Sequence, residues 1–417
     1  MQNTAETGPD APIDVTPLLD DPHPAYAALR EAGPVHRITG ADGSPAWLVT
    51  RYEDVRRAFA DPRLSLDKRH AAPGGYRGFA LPPALDANLL NMDPPDHTRV
   101  RRLVVKAFSP GRVDALREPV RRVADALLDA MEERGGRAEL MADYAGQLPI
   151  IVICDLLGIP QRDRRDFRAW TDTLITPDPT RPQLMKEAIG AMLEFFTGLI
   201  ATKRADPGDD LLSDLIAVRD DATGTAGDRL TEDELTSLAF LILFAGYENV
   251  VHLIGNATLA LLERPELCDR LRRNPAELPS AVEEFMRHDG PAPLAIRRFP
   301  KEDVEIGGVR IPAGESVLLA VASANRDRAR FPDPDTFDHG RDLAGHLALG
   351  HGIHYCLGAP LARMETETAL GALISRFPGL RLGVPADALQ RRRGLRAHGL
   401  ISLPVAWESR AEQVFEA

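Results

Sequence analysis

Apolar residues recur at spacings of three and four through the middle of the chain, from residue 112 to residue 218. This is the period of amphipathic helices that pack on a core. The pattern is interrupted at residues 135–136, 158–160 and 177–179, where glycine and proline end helices or form turns. It therefore predicts a series of helices joined by short connections.

A β-rich segment precedes these helices. Residues 35–51 contain short apolar runs on either side of a turn from Gly40 to Gly43, and residues 52–60 return to a helical period. Two such runs around a glycine-containing turn predict a β-hairpin. We expect a small sheet near the N-terminus, followed by a helix.

The longest apolar-periodic segment covers residues 231–262. It opens with a capping box, Thr231 with Glu234 three residues later, and predicts a helix nearly three times the average length. The helix is apolar on almost every side, which is typical of a helix through the centre of a large protein. A membrane span is the alternative, but three polar residues interrupt the apolar run too early: Glu248, Asn249 and His252.

Two further helices are predicted near the C-terminus. Ser280 and Glu283 form a second capping box, so we expect a helix that begins at Ser280 and ends before Gly290. The last strong helical pattern covers residues 359–377.

Strand-like sequence lies between these two helices. Residues 304–311 and 316–322 are β-rich and are joined by residues 312–314, which predicts one hairpin. A long segment rich in proline, aspartate, glycine and arginine follows at residues 325–352, and such loops usually carry function. The fold class is therefore mainly α with a smaller β-rich part.

Composition and charge narrow the function classes. The 417 residues are 44% hydrophobic, and no linker-like stretch divides them, so we expect a single domain over residues 1–417 with a short flexible N-terminus at about 1–12. A net charge of −12 argues against nucleic acid as a partner. The first residues lack the basic and apolar regions of a signal peptide. With three widely spaced cysteines and no disulfide framework, the chain is expected in the cytoplasm, away from membranes.

The most informative stretch surrounds Cys356. Glycines at positions 350, 352 and 358 permit backbone conformations and close approaches that side chains would block, which suits a loop against a flat cofactor. The following helix N-terminus is expected to lower the pKa of the thiol and to hold a thiolate. Two alternatives stay open: an incidental cysteine in a glycine-rich turn, and a zinc site with His351 and His354, for which no fourth ligand follows at the usual spacing.

This loop resembles that of the cytochrome P450 superfamily, specifically its soluble bacterial branch of macrolide hydroxylases and related enzymes that tailor natural products in antibiotic biosynthesis and secondary metabolism. The family pattern Phe-Gly-x-Gly-x-His/Arg-x-Cys-x-Gly is met at Gly350, Gly352, His354, Cys356 and Gly358. It departs at Leu349, where the family has the phenylalanine that shields the thiolate.

The resemblance extends over nearly the whole chain and implies a function. It implies the triangular P450 fold, with the long central helix over haem b (iron protoporphyrin IX), and Cys356 as the metal ligand. The implied activity is that of a monooxygenase that uses O2 as co-substrate.

The family's Glu-x-x-Arg element corresponds to Glu284 and Arg287, one helical turn apart. Taken alone, a solvated ion pair is the common explanation of such a match. The family adds an arginine after a Phe-Asp step, here Arg341 after Phe337 and Asp338. The resemblance implies that Glu284, Arg287 and Arg341 join to hold the loop that leads to Cys356.

Haem carries two propionates, so cationic or donor groups should converge on them from separate segments. The family places such groups at the positions of four residues: His97, Arg101, Arg298 and His354. A solvated surface charge is the alternative for each one taken singly.

The central helix of the family carries Ala/Gly-Gly-x-Asp/Glu-Thr where oxygen binds. Here the sequence is Ala245, Gly246, Tyr247, Glu248 and Asn249, so the threonine hydroxyl is absent. The resemblance implies that Ala245 and Gly246 let the helix approach the cofactor and that Glu248 delivers protons. Asn249 either replaces the threonine with the help of water and a substrate hydroxyl, or serves a purely structural role. Glu248 and His252 are four residues apart, a spacing at which they can pair.

Electrons must come from elsewhere, because the sequence has neither a Gly-x-Gly-x-x-Gly element nor a cysteine set for an iron–sulfur cluster. The resemblance implies a ferredoxin and an NAD(P)H ferredoxin reductase as partners of a monomeric enzyme. Arg102, Lys106 and Arg112 are candidates for the docking patch.

By position in the family, an apolar set of residues lines the substrate pocket: Leu90, Leu241, Phe244, Ala245, Leu294, Ala295 and Ile296. Plain core packing is the alternative for each. Gly74, Gly75 and residues 79–90 are candidates for a lid.

The resulting prediction is hydroxylation or epoxidation of a macrolide-like or polyketide-like molecule. The alternatives are a haem-thiolate enzyme for coupling or rearrangement without oxygen insertion, and a haem sensor or zinc-binding structural protein.

Overall fold

The computed structural model describes residues 12–40, 43–76, 81–108, 110–175, 180–220 and 229–408. Its α-helices are α1 (Thr16–Asp20), α2 (Pro22–Ala32), α3 (Tyr52–Ala60), α4 (Pro83–Asp86), α5 (Asp96–Val104), α6 (Pro110–Ala115), α7 (Arg117–Glu132), α8 (Leu148–Leu156), α9 (Arg164–Ile175), α10 (Pro182–Ala205), α11 (Leu211–Asp220), α12 (Glu232–Leu262), α13 (Pro265–Arg273), α14 (Leu278–Asp289), α15 (Val321–Ala324) and α16 (Ala359–Arg376).

The strands are short and contain far fewer residues than the helices, in agreement with the predicted fold class. They are β1 (Val35–Thr39), β2 (Pro45–Val49), β3 (Leu64–Ser65), β4 (Arg137–Glu139), β5 (Phe299–Pro300), β6 (Val304–Ile306), β7 (Val309–Ile311), β8 (Ser316–Leu319), β9 (Arg381–Leu382) and β10 (Pro404–Ala406).

The long helix α12 runs through the interior, as predicted. The backbone N–H of Glu234 donates to Thr231 Oγ1 over 3.1 Å, and the backbone N–H of Thr231 donates to Glu234 Oε2 over 2.8 Å, which completes the capping box. The helix packs against α4, α8, α10, α14 and α16. It is the one described helix long and apolar enough to cross a membrane, and 56% of that apolar window is buried inside the protein. Its apolar surface therefore belongs to the core.

The first sheet joins two segments that are far apart in the sequence. Strands β1 and β2 form the predicted hairpin, with Val35 opposite Val49, and α3 has the predicted bounds. Strand β8 then pairs in parallel with β2, and Ala46 lies opposite Ser316. The N-terminal hairpin is thereby fixed to the region that precedes the Cys356 loop.

The prediction of one hairpin over residues 304–322 was wrong. The hairpin consists of β6 and β7, and it turns at Gly307 and Gly308, whose φ angles are 57° and 81°. Two successive positive φ angles favour the tight turn whose twist matches paired strands. Strand β8 is left free to join β2 instead.

The predicted start of α14 at Ser280 was also wrong. The helix begins at Leu278 with a proline in its first turn, a position where the fixed φ of proline suits a helix and its missing N–H costs nothing. The Ser280 hydroxyl donates to the carbonyl oxygen of His339 rather than capping the helix. The carboxylate of Glu283 is likewise used elsewhere, as described below.

Candidate active site

The Cys356 loop connects the long segment after β8 to the start of α16. Gly350 and Gly352 have φ angles of 77° and 74°, which favour glycine. Gly358 was expected to need the same freedom but has an ordinary φ of −81°, because it is the N-cap of α16. A Cβ built on Gly358 would meet no protein atom within 4 Å, so this side of the loop leaves space for a cofactor.

Burial raises the pKa of the Cys356 thiol above its ordinary value. The backbone N–H groups of Gly358 and Ala359 and the cations Arg101 and Arg363 act in the opposite direction, without offsetting the lost hydration. The helix N-terminus thus acts in the predicted direction, but burial has the larger effect, and the predicted net lowering of this pKa was wrong. A positive metal centre at the sulfur is what would favour the thiolate.

Two arginines hold the loop at Tyr355, the residue before the cysteine. Arg101 Nη2 donates to the carbonyl oxygen of Tyr355 over 2.7 Å, and Arg363 Nη1 donates to its hydroxyl over 3.2 Å. Glu283 Oε2 accepts bonds from Arg363 Nη2 at 2.9 Å and from His346 Nε2 at 2.9 Å. Burial opposes ionisation of Glu283, but these bonds outweigh it and lower its pKa to about 2. Sequence reasoning missed the Glu283–His346–Arg363 cluster, because no local spacing links residues so far apart.

A second ion network is centred on two buried residues of α14, the helix that also carries Glu283. Glu284 accepts from Arg287 Nε at 2.6 Å and from Arg287 Nη2 at 2.8 Å, and Arg341 Nε donates to its Oε1 over 3.2 Å. The side chains of Glu284 and Arg287 are both 0% exposed. Arg287 also donates to the carbonyl oxygens of Asn325 and Pro334. The structure thus brings the three predicted members together and links them to the segment that leads to Cys356.

Two of the predicted propionate-binding residues, His97 and His354, are in contact, with ring centroids 4.2 Å apart. His97 is 1% exposed, yet neither of its ring nitrogens has a hydrogen-bond partner among the described residues. Burial and the charge of Arg101 lower the pKa of His97 to about 4. Burial and then the charges of His97, Arg298 and Arg101 lower that of His354 to about 3. A protein rarely leaves a buried imidazole without a partner, so the ring of His97 fits an absent acceptor.

Arg298 adds a buried cation to the same region. Its side chain lies over the Phe59 ring at 4.7 Å, and a Cβ on Gly350 would lie 3.6 Å from that ring. Burial lowers the pKa of Arg298 to about 10, and within the described part of the chain its guanidinium makes one hydrogen bond, to the carbonyl oxygen of Ile296 at 2.8 Å. A buried guanidinium without a carboxylate is costly and suits an anionic ligand group.

These observations test whether haem fits the site. The unpaired imidazole of His97, the buried guanidinium of Arg298 and the cysteine of the loop are groups that suit two propionates and one iron. Zinc is a poorer fit, since His351, His354 and Cys356 do not cluster. Across the described ranges, the one group of three potential ligands that does is His23, Asp289 and His398.

Past its first turn, the central helix is exposed at two positions. Between Glu234 and Leu262, Ala245 and Asn249 are the exposed residues, and they lie one turn apart. Asn249 Nδ2 donates to the carbonyl oxygen of Ala245 over 3.1 Å. A Cβ on Gly246 would lie 3.2 Å from Ile153, so its small size permits close packing against α8. The helix therefore presents a short polar and small-residue patch in an otherwise buried surface.

Glu248 lies beside this patch and has a partner that the sequence did not reveal. Arg396 Nη2 donates to Glu248 Oε2 over 2.7 Å. The predicted pairing with His252 is weaker: its Nε2 is 3.8 Å from Glu248 Oε1, and neither ring nitrogen of His252 has a hydrogen-bond partner within the described residues.

Besides Ala245, the predicted substrate residues number six and lie in three segments. Leu241 and Phe244 are partly buried on α12, and Leu90 is partly buried just before α5. Residues 294–298 form an extended segment bridged to β8 and Ala320, in which Leu294 and Ala295 are partly buried and Ile296 is 47% exposed. Each of the six therefore keeps some accessible surface, as pocket residues must.

Two predicted surface features are only partly described. Gly74 and Gly75 lie in a turn, whereas Phe79 and Ala80 of the proposed lid fall outside the described residues. In the proposed docking patch Arg102 is exposed, the side chain of Lys106 lies outside the described residues, and Arg112 is paired with Asp214 at 2.5 Å. Arg112 is therefore a weaker candidate for contact with a partner.

Comparison with known proteins gives consistent matches. The family model described as Cytochrome P450 matches residues 165–381. Cytochrome P450 107B1 of Saccharopolyspora erythraea is 45% identical over 93% of this chain and 95% of its own length. The 6-deoxyerythronolide B hydroxylase of the same organism is 44% identical over 91% of this chain and 94% of its own length. The solved structure of PksS, the cytochrome P450 of the Bacillus subtilis bacillaene polyketide synthase, superposes with a TM-score of 0.87 at 35% identity, covering 96% of this chain and 100% of PksS.

Proposed function

The chain belongs to the cytochrome P450 family, and on that premise we propose that this haem-thiolate monooxygenase hydroxylates or epoxidises a polyketide-like small molecule. Its cofactor is haem, and molecular oxygen is its second substrate. The relatives that hydroxylate 6-deoxyerythronolide B or accompany the bacillaene polyketide synthase support this choice of substrate class.

The observation that carries the proposal is the unpaired imidazole of His97 together with the buried guanidinium of Arg298, which has no carboxylate partner in the described residues. The Cys356 thiolate would bind the iron, and Gly350 and Gly358 would let the loop lie close to the ring. His97, Arg101, Arg298 and His354 would hold the propionates, which supply the missing acceptors for buried His97 and Arg298.

When bound, haem supplies oxygen activation and the oxidising power for the substrate. The chain's own residues then have defined tasks. Ala245 would keep the helix surface low where oxygen must fit, Gly246 lets the helix pack closely on α8, and the carboxyl group of Glu248 would supply protons beside them. Asn249 belongs to the same exposed patch, and its side-chain amide would keep water and substrate polar groups oriented. Glu284, Arg287 and Arg341 fix the segment that carries Cys356.

The substrate would lie against the apolar side chains of Leu90, Leu241, Phe244, Leu294, Ala295 and Ile296. Their partial exposure supports contact with a mostly apolar ligand. Hydrogen bonds of the substrate near Glu248 would then determine which of its carbon atoms is oxidised.

Bacterial members of the family need a redox partner and a small-molecule substrate. We further propose that the partner is a ferredoxin with its NAD(P)H reductase, that Arg102 contributes to its docking, and that the enzyme acts as a cytoplasmic monomer. The charge of −12 leaves little reason to expect nucleic acid as a ligand.

The direct test is a reconstituted reaction of the haem-loaded protein with a surrogate ferredoxin and reductase, 6-deoxyerythronolide B and isotopically labelled oxygen. We expect a product that contains one labelled oxygen atom. The reduced protein with carbon monoxide should show the absorption band of a thiolate-ligated haem. A colourless protein that does not take up haem would refute the proposal.

A second function is favoured by Asn249, which stands where the family has threonine and whose amide bonds back to the helix. Without that hydroxyl, the enzyme would catalyse an oxidation without oxygen insertion, such as coupling or rearrangement. A product of changed connectivity that carries no labelled oxygen would select this function.

A further inference from the structure

Arg396 is a cation at the open patch of the central helix. Its guanidinium carbon lies 5.2 Å from the centre of the Phe244 ring, and its Nη2 donates to Glu248 over 2.7 Å. Its side chain is 58% exposed, whereas that of Glu248 is 11% exposed. Arg396 therefore faces open space between the acid of the helix and a candidate substrate contact.

The segment that carries Arg396 is fixed at both ends. Arg391 forms an isolated bridge with Leu400, and the Arg392 N–H donates to the carbonyl oxygen of Gly399 over 2.9 Å, so residues 391–400 fold back on themselves. Any side chain at position 399 would collide with His252 of α12, since a Cβ there would lie 2.1 Å from Nδ1. The loop is therefore packed directly on the central helix.

A polar cluster anchors the same loop to the rest of the protein. His398 Nε2 lies 2.8 Å and His23 Nε2 lies 2.9 Å from the same oxygen of Asp289, and Arg391 Nη2 lies 3.4 Å from the other oxygen. The His398 N–H also donates to the carbonyl oxygen of Pro291 over 2.8 Å. These bonds come from three distant parts of the chain, so the backbone around Arg396 is held in place before any ligand arrives.

The guanidinium of Arg396 has hydrogen-bond donors that no described residue uses. It carries five N–H groups, and in the described residues its bond to Glu248 is the only one it makes. A planar guanidinium can join two carboxylates, one at each edge, while its face stacks on an aromatic ring. Beside Phe244, an apolar candidate for substrate contact, such a group selects for an anion, because a neutral apolar ligand would cover it without pairing it.

We propose that Arg396 determines specificity by binding a carboxylate at one end of an otherwise apolar substrate. This inference rests on the proposed function and, within its substrate class, favours polyketide-like or acyl chains that carry a free acid over neutral ones. The carboxylate of the substrate would accept hydrogen bonds from the N–H groups of Arg396 that Glu248 leaves unused. The apolar part of the substrate would then extend over Phe244 towards Ala245.

The test uses the haem-loaded enzyme and two probes of equal chain length, laurate and methyl laurate, titrated by the shift of the haem absorption band. We expect the wild type to bind laurate at least about tenfold more tightly than the ester, the value of one charge-assisted hydrogen bond or more. Arg396→Gln should reduce the ratio to about one, and Arg396→Lys should keep part of it, since lysine retains the charge but not the fork.

Arg57→Gln is the matched control, because Arg57 also pairs with a glutamate, Glu53, at 3.0 Å but on the surface. It should leave the preference for laurate unchanged. A wild type that binds both probes equally, or does not bind laurate, overturns the inference, and so does a preference that survives in Arg396→Gln.

Failure of the proposed function gives a different result. If the preference for laurate depends on Arg396 but the reconstituted enzyme yields no oxygenated product, the anion site stands and the monooxygenation proposal fails. If product forms from neutral polyketides while laurate and methyl laurate bind equally well, the function stands and the role of Arg396 is refuted.

Discussion

Glu284→Ala should be among the most damaging single substitutions in the molecule. The carboxylate accepts bonds from Arg287 Nε and Nη2, from Arg341 Nε and from the backbone N–H of Asp338. Its removal leaves Arg287 fully buried with only the neutral carbonyl oxygens of Asn325 and Pro334 as partners. An uncompensated buried charge of this kind costs about 3–5 kcal/mol of the free energy of unfolding.

The measurement is urea unfolding of the haem-loaded protein, together with the rate at which haem transfers to an acceptor apoprotein. We expect a lower midpoint and faster haem loss, because Arg341 connects the network to the segment before Cys356. Glu305→Ala, an exposed position in β6, is the control and should change stability by no more than about 0.5 kcal/mol. A loss below about 1 kcal/mol in Glu284→Ala, with unchanged haem transfer, would refute the reasoning.

Four further outcomes are expected. Cys356→Ser should stay folded but lose the thiolate band of the reduced carbon monoxide complex; persistence of that band would mean that another residue binds the iron. Asn249→Ala should lower the fraction of NAD(P)H electrons recovered in product, and unchanged coupling would contradict its role. Burial raises the pKa of Glu365 from 4.5 to about 8, so the folded state holds a proton that the unfolded chain has released. Stability should therefore fall as the pH rises through this window, by up to about 1.4 kcal/mol per pH unit, and Glu365→Gln should flatten the dependence in urea titrations. An equally steep decline in Glu365→Gln would place its origin elsewhere. Arg102→Glu should slow the first reduction by ferredoxin in stopped-flow measurements, and an unaltered rate would exclude this part of the surface from docking.

Elements with strong local signals were predictable from sequence. The helix from Glu232 to Leu262 and the hairpin of β1 and β2 depend on caps, turns and periodicity that lie within a few residues. The glycine spacing around Cys356 was sufficient to suggest the family, which the comparisons then showed.

Pairings between distant segments were not predictable in this way. Ser280 and Glu283 match a capping box, but tertiary contacts with His339 and Arg363 use both side chains elsewhere. Strand β8 looks like half of a local hairpin, although its partner β2 lies near the other end of the chain. Arg396 sits among other arginines in the sequence, and its position beside Glu248 arises only when the C-terminal loop packs on α12.

The parallel pairing of β2 with β8 has a consequence for synthesis on the ribosome. Ala46 leaves the exit tunnel about 270 residues before its partner Ser316, which at about 5–20 residues per second is a delay of roughly 15–55 s. Throughout that interval one edge of the nascent hairpin has no strand beside it, and such edges recruit other chains. The protein should therefore depend on chaperones during translation, and slower growth at low temperature should raise its soluble yield.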